Sequence, residues 1–339
     1  MTKYTLYNDD RSVAKFEYRQ GVICSYQAFC PELLPMQIRK ASPESFTSWV
    51  RDRAIDLNSL QHRNLANHLL GSRDKLHLAL MTNMLSISDT FTCFKEKEFT
   101  PRVSLFNHDA QNEVSSYILL SGDTSINKAA FATPNVSTDG SFTKTWKYEK
   151  GEWWLYKIQS VDATRSEVEI SKVLTACGWD AAAYRYDGSY RKRVKSLNFV
   201  KEHEFFEPYD SFRFAFSNAE DNDETILQNI SSLGESFRQA WKRILIADAL
   251  FLNADRHMRN FGVIRSSETG RVLRLAPNFD NNQAYKGNPG GKYSPAMLHS
   301  YWKAADEEDK ENLQILLQIC KGNKYLSEAY LAGLQILQH

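Results

Sequence analysis

Residues 253–261 read Asn-Ala-Asp-Arg-His-Met-Arg-Asn-Phe. They follow a strongly apolar segment and precede a run that is typical of a β-strand. Residues 276–280, Ala-Pro-Asn-Phe-Asp, end a second strand-like run further along the chain. Asp255 and Asn260 therefore share one loop, which a long preceding helix would hold rigidly. These two segments decide how the fold is interpreted, because they contain the side chains with the clearest chemistry.

Phosphoryl transfer needs few protein groups: a carboxylate that orients the attacking hydroxyl, and oxygen ligands that hold Mg²⁺ against the phosphates. A D-x-x-x-x-N pair followed by an isolated Asp after a β-turn-β segment supplies this set. Asp255 is the predicted base, and Asn260 and Asp280 are the predicted metal ligands. The alternative is that Asp255 and Asn260 only cap or turn the chain after a helix, where both residue types are common. The complete run Asp-Arg-His-x-x-Asn favours the catalytic interpretation.

The apolar segment before this loop has the strongest helical pattern in the chain. Residues 235–253 place large apolar side chains on one face at helical spacing, namely Phe237, Trp241, Ile244, Leu245 and Leu252. This pattern predicts a long amphipathic helix. A strand-like segment follows it, and further helices are predicted from about 295 to 337.

The chain before this helix is rich in strand-like patterns. Residues 3–28 predict a small antiparallel meander, and Ser42 followed by Pro43 predicts the start of a helix. Periodicity and turn residues also predict strands at about 142–148 and 153–159 around a turn at 149–151. They further predict a helix at 166–176, with Gly178 as its C-terminal stop, and a strand pair at 183–200.

Strands with one helix, followed by helices, are the order expected of a two-lobed α+β protein. We therefore predict a β-rich, nucleotide-binding N-lobe over 116–205 and a mainly helical C-lobe over 206–339 with the catalytic and metal-binding loops. Residues 1–115 form a predicted N-terminal accessory module of β-meander and helices. A chain of 339 residues suits such a division better than one small domain.

Composition and charge argue against several classes of protein. The formal net charge of +1 gives no argument for direct binding to nucleic acid or to a membrane surface. The N-terminus lacks an apolar signal region and no long apolar run occurs, so we expect neither secretion nor a membrane span. The five cysteines lack zinc-type spacing, which indicates reduced thiols in a cytoplasmic protein.

The segment 253–280 resembles the catalytic and metal-binding segments of HipA-type serine/threonine kinases, which are the toxin kinases of bacterial toxin–antitoxin pairs and their relatives. That family carries a D-x-H-x-x-N loop and a later Asp in an L-x-P-x-[YF]-D pattern. The matching residues here are Asp255, His257, Asn260, Leu275, Pro277, Phe279 and Asp280. The resemblance covers roughly 120–335 and implies a two-lobed, protein-kinase-like fold that uses ATP and Mg²⁺.

The resemblance also assigns nucleotide-binding roles upstream. Lys157, in the apolar run WWLYKI, matches a lysine that contacts ATP phosphates, and Glu167 matches its acidic partner at the opening of the next helix. Asn198 lies where the family's chain passes the adenine between the lobes. The alternatives are a solvated Lys157 on a strand and a first-turn Glu167 that the helix dipole favours. His257 would contact substrate or nucleotide, or serve as a structural hydrogen-bonding residue.

A turn at 137–141 resembles the family's phosphate-covering loop, and its residues include Ser137, Asp139, Gly140 and Ser141. Backbone amides of such a turn can bind phosphate, and Lys144 would assist them. The alternative is an ordinary hairpin turn. Because family members are silenced by autophosphorylation of a serine in this loop, Ser137 and Ser141 are autophosphorylation candidates by resemblance.

Three functions stay open on the sequence alone. The first is a serine/threonine protein kinase of HipA type, with a protein substrate and with an antitoxin or another protein partner at the N-terminal module. The second is a phosphoinositide-type lipid kinase, which also uses an Asp-Arg-His-x-x-Asn loop. Against it stand the absence of a basic membrane-surface cluster and of a glycine after Asp280. The third is a kinase-fold binding protein without catalysis.

Overall fold

The structure is a computed structural model that describes residues 1–54, 57, 63, 74–101, 143–188, 192–285, 298–299, 302–303 and 305–338. The chain divides into two compact units. The first unit contains Met1–Gln159, Lys195–Glu207 and Val263–Leu273, and the second contains Ser160–Val194, Pro208–Gly262 and Arg274–His339. The predicted boundary near residue 115 lies outside the described residues, so the three-part division stays a prediction.

The first unit begins with the predicted meander. Strands β1 (Thr2–Asn8), β2 (Arg11–Arg19) and β3 (Val22–Ala28) pair antiparallel, which confirms the prediction for residues 3–28. A fourth strand that the sequence analysis missed, β4 (Phe91–Lys95), pairs with β1, so the sheet order is β3-β2-β1-β4.

Helices α1 (Pro43–Asp52) and α2 (Lys75–Met81) accompany this sheet. The Ser42 side chain accepts a hydrogen bond from the Ser45 backbone N–H, which confirms the predicted cap of α1. The core of this part is aromatic, with the Phe16 and Phe46 ring centroids 5.1 Å apart. This packing buries the apolar face of the meander and fixes its register.

Two further sheets belong largely to the first unit. Strands β5 (Thr143–Glu149) and β6 (Glu152–Ile158) form the predicted hairpin, whose turn residues Lys150 and Gly151 have φ angles of 52° and 87°. Such positive φ values are typical of a two-residue hairpin turn. Strand β8 (Arg193–Leu197) lies beside β6. The third sheet has the order β11-β10-β9, with β9 (Glu204–Pro208), β10 (Gly262–Ser266) and β11 (Val272–Leu275).

The second unit is mainly helical. Its elements are α3 (Val161–Ala176), β7 (Tyr184–Tyr186), α4 (Tyr209–Phe212), α5 (Asp223–Ser231), α6 (Glu235–Leu250), α7 (Glu307–Lys321) and α8 (Ser327–Leu337). The predicted helix from 235 is confirmed as α6, which ends at Leu250. No helix among the described residues is long and apolar enough to cross a membrane.

Helix α3 differs from its prediction at one end only. It begins at Val161, where the Ser160 side chain caps it by accepting a hydrogen bond from the Ala163 backbone N–H. Glu167 therefore lies in the second turn and does not open the helix, which also removes the explanation by a first-turn helix dipole. At the other end Gly178 has a φ of 74°, which confirms it as the glycine after the helix.

Helix α7 begins with a cap whose charge can be titrated. The Asp306 carboxylate accepts a hydrogen bond from the Asp309 backbone N–H at 2.9 Å. This hydrogen bond first, and then the positive charges of Lys242 and Arg243, hold the pKa of Asp306 below its ordinary value. Because the folded-state pKa is depressed, the stabilisation is present above the unfolded-state pKa and is lost as pH falls through the folded-state pKa.

We expect Asp306→Ala to lower the free energy of unfolding by about 0.5–2 kcal/mol at neutral pH, since it removes a helix cap. The deficit should shrink as the solution becomes acidic. Urea unfolding over a range of pH checks this expectation. Asp306→Asn is the matched control, because asparagine also caps helices but does not titrate. A deficit of Asp306→Ala that stays constant into acid would contradict the assignment.

Candidate active site

The loop after α6 is tied to the last turns of that helix. The Asn253 backbone N–H donates to the Asp248 carbonyl oxygen at 2.9 Å, and its side-chain Nδ2 donates to Asp248 Oδ1 at 3.0 Å. Asn253 Oδ1 in turn accepts from the Asp255 backbone N–H at 3.4 Å. The half-buried Asp255 therefore follows a residue that is anchored to a rigid helix.

Asp255 and Asn260 are joined directly inside this loop. Asn260 Nδ2 donates to the Asp255 backbone carbonyl at 2.9 Å, and the Asn260 side chain is buried. His257 lies between them and is exposed; its Nδ1 accepts from the Arg259 backbone N–H at 3.2 Å. The Asn260 Nδ2 group therefore closes the loop, and the amide oxygen is the atom of this side chain that could bind a cation.

Arg256 is the centre of the network, and its side chain is only 1% exposed. Its Nε and Nη2 bind the two carboxylate oxygens of Asp248, each at 2.8 Å. Its Nη1 donates to two backbone carbonyls, that of Asn260 at 2.8 Å and that of Phe279 at 2.6 Å. One buried guanidinium therefore joins α6, the loop of Asp255 and the segment that ends at Asp280.

Asparagine side chains complete the contact with the 276–282 segment. Arg256 Nη2 also lies within hydrogen-bonding distance of Asn278 Oδ1, at 3.1 Å, and of Asn281 Oδ1, at 3.0 Å, so its two hydrogens are shared among these oxygens and Asp248 Oδ1. Asn281 Nδ2 donates to Asn278 Oδ1 at 3.0 Å. The Asn278 backbone is held from the other side, since its N–H donates to the Asp180 carbonyl and its carbonyl accepts from the Ala182 N–H. A buried arginine with these partners fixes the segment more firmly than a surface turn would.

Asp280 has an unusual backbone for a non-glycine residue, with a φ of 62°. Its backbone N–H donates to the Tyr184 hydroxyl at 3.1 Å, and its Oδ1 accepts from Asn282 Nδ2 at 2.8 Å. Left-handed backbone at non-glycine positions is uncommon, and it persists where surrounding contacts impose it. The contacts to Tyr184 and Asn282 are such contacts, so the orientation of Asp280 is set by its neighbours.

The residue types present suit a magnesium ion. Asp280 and Asn260 would supply a carboxylate and an amide oxygen, and Mg²⁺ takes oxygen ligands while retaining water and phosphate ligands. Among the residues that the structure describes, no group of three or more His, Cys, Asp or Glu side chains could hold a metal ion. Asn260 and Asp280 alone are two oxygen ligands, so water and phosphate oxygens would have to complete the coordination of such an ion.

The nucleotide-binding residues that the resemblance predicted lie on several different elements. Lys157 on β6 is 5% exposed, and it pairs in register with Lys144 on β5, so both side chains project from one face of the sheet. Asn198 has structural contacts, because its Nδ2 donates to the Ile87 carbonyl at 3.4 Å and its Oδ1 accepts from the Val200 N–H. Glu167, on α3 of the second unit, is fully buried.

The remaining predicted residues are those of the phosphate-covering turn, and they lie outside the described part of the chain: Ser137, Asp139, Gly140 and Ser141. The cysteines are Cys24, Cys30, Cys93, Cys177 and Cys320, and all are free thiols. Burial raises the pKa of the Cys93, Cys177 and Cys320 thiols to about 12. These three side chains are therefore protonated at neutral pH and belong to the core.

Sequence reasoning missed the residues that hold the site together, above all Arg256, Asp248 and Asn253. Arg256 lies inside the quoted Asp-Arg-His run, but it received no role of its own. A usable signal existed at Asp248, since it is a lone carboxylate within the apolar run ILIADALFL. A charge inside an apolar segment is expected to be buried and therefore to need a partner.

Two solved structures are similar to the chain, although they share little sequence with it. No protein-family model and no curated protein match the chain. In the toxin–antitoxin complex of HipA, HipB and operator DNA from Shewanella oneidensis MR-1, HipA is similar with a TM-score of 0.59 and 9% identity, over 98% of this chain and 91% of that chain. The proinflammatory kinase CtkA of Helicobacter pylori is similar with a TM-score of 0.42 and 13% identity, over 57% and 89%.

The similarity to HipA shows the class of fold. The chain is a mixed α/β protein with a HipA-like kinase fold, as the sequence predicted. This fold similarity extends over 98% of the chain, which is more than the roughly 120–335 that the sequence motifs suggested.

Proposed function

We propose that the chain is an ATP- and Mg²⁺-dependent serine/threonine protein kinase of HipA type. One observation carries the proposal: Arg256 Nη1 binds the Asn260 and Phe279 carbonyls together, which ties the loop of the predicted base to the segment of the predicted metal ligand. Phosphoryl transfer depends on positioning and on charge stabilisation more than on covalent chemistry. A site whose loops are fixed by one buried residue is suited to that task.

In this proposal each residue has one task. The Asp255 carboxylate orients the substrate hydroxyl and accepts its proton, and Asn260 and Asp280 hold Mg²⁺, which would neutralise charge on the phosphates. Lys157 and Lys144 would bind phosphate oxygens, with Glu167 as the acidic partner of Lys157. The shared sheet face of the two lysines supports their common role.

We extend the proposal to regulation and partners. Ser137 and Ser141 are the proposed autophosphorylation sites, and residues 1–115 are the proposed docking region for an antitoxin or another protein. The HipA structure to which this chain is similar was solved with HipB and operator DNA, and that assembly supports a partner for a protein of this fold. Direct DNA binding by this chain is not proposed, because its net charge is only +1.

The deciding experiment supplies labelled ATP and Mg²⁺ to the purified chain, together with inositol-lipid vesicles. We expect serine-linked label on the protein, and Asp255→Ala should lower the rate by about 100-fold or more, since it removes the general base. The substitution keeps the Asp255 backbone carbonyl that binds Asn260, so the loop should persist. Asp221→Ala, at an exposed aspartate of the same unit, is the matched control and should react like the wild type.

Other results would replace the proposal. Label found only in lipid would identify a phosphoinositide-type kinase. Absence of nucleotide binding would identify a kinase-fold binding protein. Equal labelling of the wild type and Asp255→Ala would remove the role given to this carboxylate.

A further inference from the structure

Asn282 is a buried polar residue beside the proposed metal ligand Asp280. It is 4% exposed, and its Nδ2 donates to Asp280 Oδ1 at 2.8 Å. Its Oδ1 is also buried, yet it accepts no hydrogen bond from any donor in the part of the chain that the structure describes. An unsatisfied buried acceptor costs about 1–3 kcal/mol. Such a group in a native fold calls for an explanation, of which a bound ligand is one.

The orientation of the amide follows from its contact with Asp280. Exchanging the nitrogen and oxygen positions would place Asn282 Oδ1 against a carboxylate oxygen, and two acceptors repel each other. The oxygen therefore points away from Asp280 and can accept a hydrogen. Whatever satisfies it must be a hydrogen-bond donor located next to the carboxylate that we assign to the metal.

A water molecule bound to a cation fits this requirement. Its lone pair faces the metal, so both of its hydrogens are available for donation, and Mg²⁺ in proteins usually retains several such waters. A free anion or an acceptor group would not satisfy Asn282 Oδ1. Asn282 Oδ1 is therefore suited to accept a hydrogen bond from a water ligand of the ion that Asp280 would bind.

We infer that Asn282 is a positioning residue of the metal centre: Nδ2 orients the Asp280 carboxylate, and Oδ1 accepts a hydrogen bond from a water ligand of the cation. This inference rests on the proposed function. Residues that contact metal ligands or their waters typically change metal affinity by about 10–100-fold when they are replaced. Asn282 should therefore control metal affinity without itself touching the metal.

The test measures Mn²⁺ binding by electron paramagnetic resonance, with a non-hydrolysable ATP analogue present. Asn282→Leu, which keeps the number and branching of the side-chain heavy atoms but removes both polar atoms, should weaken Mn²⁺ affinity by about 10-fold or more. Gln283→Leu is the matched control, because it replaces the amide of the next residue, which lies outside the hydrogen-bond network described above; its affinity should equal that of the wild type. Affinity for the analogue without metal should stay unchanged in both variants.

A double-mutant cycle separates the two roles of Asn282. If Asn282 acted only by orienting the Asp280 carboxylate, Asn282→Leu would have no effect once Asp280→Asn is present. The inference expects a further loss of Mn²⁺ affinity in that background, because the water contact is removed as well. No further loss there, wild-type affinity in Asn282→Leu, or an equal loss of metal-free nucleotide affinity would each overturn it.

Failure of the inference can be told from failure of the proposed function. If the wild type binds Mn²⁺ with the analogue and Asp280→Asn weakens that binding, the metal site stands whatever Asn282→Leu does. If the wild type binds no Mn²⁺ under these conditions, or Asp280→Asn binds it equally well, the proposed function itself fails and the role of Asn282 fails with it.

Discussion

Replacing Arg256 with methionine is expected to lower the free energy of unfolding by roughly 3–5 kcal/mol, because Asp248 would remain as a buried charge without its partner. Asp248 is 0% exposed and both of its carboxylate oxygens bind this guanidinium. The carbonyls of Asn260 and Phe279 would lose their shared donor at the same time. Phosphotransfer should fall with stability, since both loops of the proposed site depend on one side chain.

Urea unfolding measures the loss of stability, and a phosphotransfer assay measures the loss of activity, so the two consequences of the substitution can be told apart. In the double variant Arg256→Met with Asp248→Leu the buried charge is gone, so a substantial part of the lost stability should return. Activity should not return, because neither leucine nor methionine can donate to the Asn260 and Phe279 carbonyls. A fully active double variant would show that Arg256 only neutralises Asp248. A single variant as stable as the wild type would contradict the network altogether.

The predictions that succeeded rest on local patterns. The strands in residues 3–28, the hairpin turn at 149–151 and the helix from 235 follow from side-chain periodicity and turn chemistry within a few residues. Strands β4 and β9 escaped prediction; β4 is buried almost throughout, so it shows no alternation of apolar and polar residues. Their pairing partners lie far away in the chain, as with β1 and β4.

The start of helix α3 was predicted too late, although the sequence contains a local signal for it. Ser160 is a good cap residue and it does cap the helix. The prediction began at Ser166 because apolar spacing becomes regular only from there. The error changes the interpretation of Glu167, which is fully buried in the helix interior and therefore needs an explanation beyond the helix dipole.

At the candidate site, the sequence could supply the groups but not the framework that positions them. Asp255, Asn260 and Asp280 were chosen by residue type and spacing, and they lie in one hydrogen-bonded network of the second unit. The framework joins Asp248 and Arg256 to asparagines more than twenty positions away, and that depends on tertiary placement. Asn282 could not be singled out either, since an unsatisfied acceptor is visible only when its surroundings are known.

The first unit contains a buried ionic contact of comparable importance, centred on Arg265. Its side chain is 0% exposed and forms an ion pair with Glu207. It also donates to the carbonyls of Glu32 at 2.9 Å and Leu34 at 3.0 Å, so it fixes the segment after the meander. Gly270 lies against the same segment and accepts from Arg265 Nε at 3.0 Å.

Gly270→Ala is expected to disrupt this contact. Gly270 has a φ of 70°, and a Cβ atom there would lie 2.0 Å from the Glu32 carbonyl oxygen and 2.9 Å from its carbon. The left-handed backbone costs an alanine about 1–2 kcal/mol. Overpacking against a backbone atom, which cannot rotate away, adds about 1–3 kcal/mol. The Glu32 backbone must then move, and with it the hydrogen bond that Arg265 donates there.

Gly21→Ala separates the two contributions, because Gly21 has a similar φ of 85° but no atom lies within 4 Å of the position of its Cβ. Only the backbone cost applies there, so Gly270→Ala should be the more destabilising change in chemical denaturation of the full chain. Hydrogen exchange should also become faster around Glu32 and Leu34 in Gly270→Ala alone, since those carbonyls bind Arg265. Equal losses of unfolding free energy in the two variants would mean that the Glu32 segment can move without loss of stability. Such a result would contradict the conclusion that Arg265 holds this segment in place.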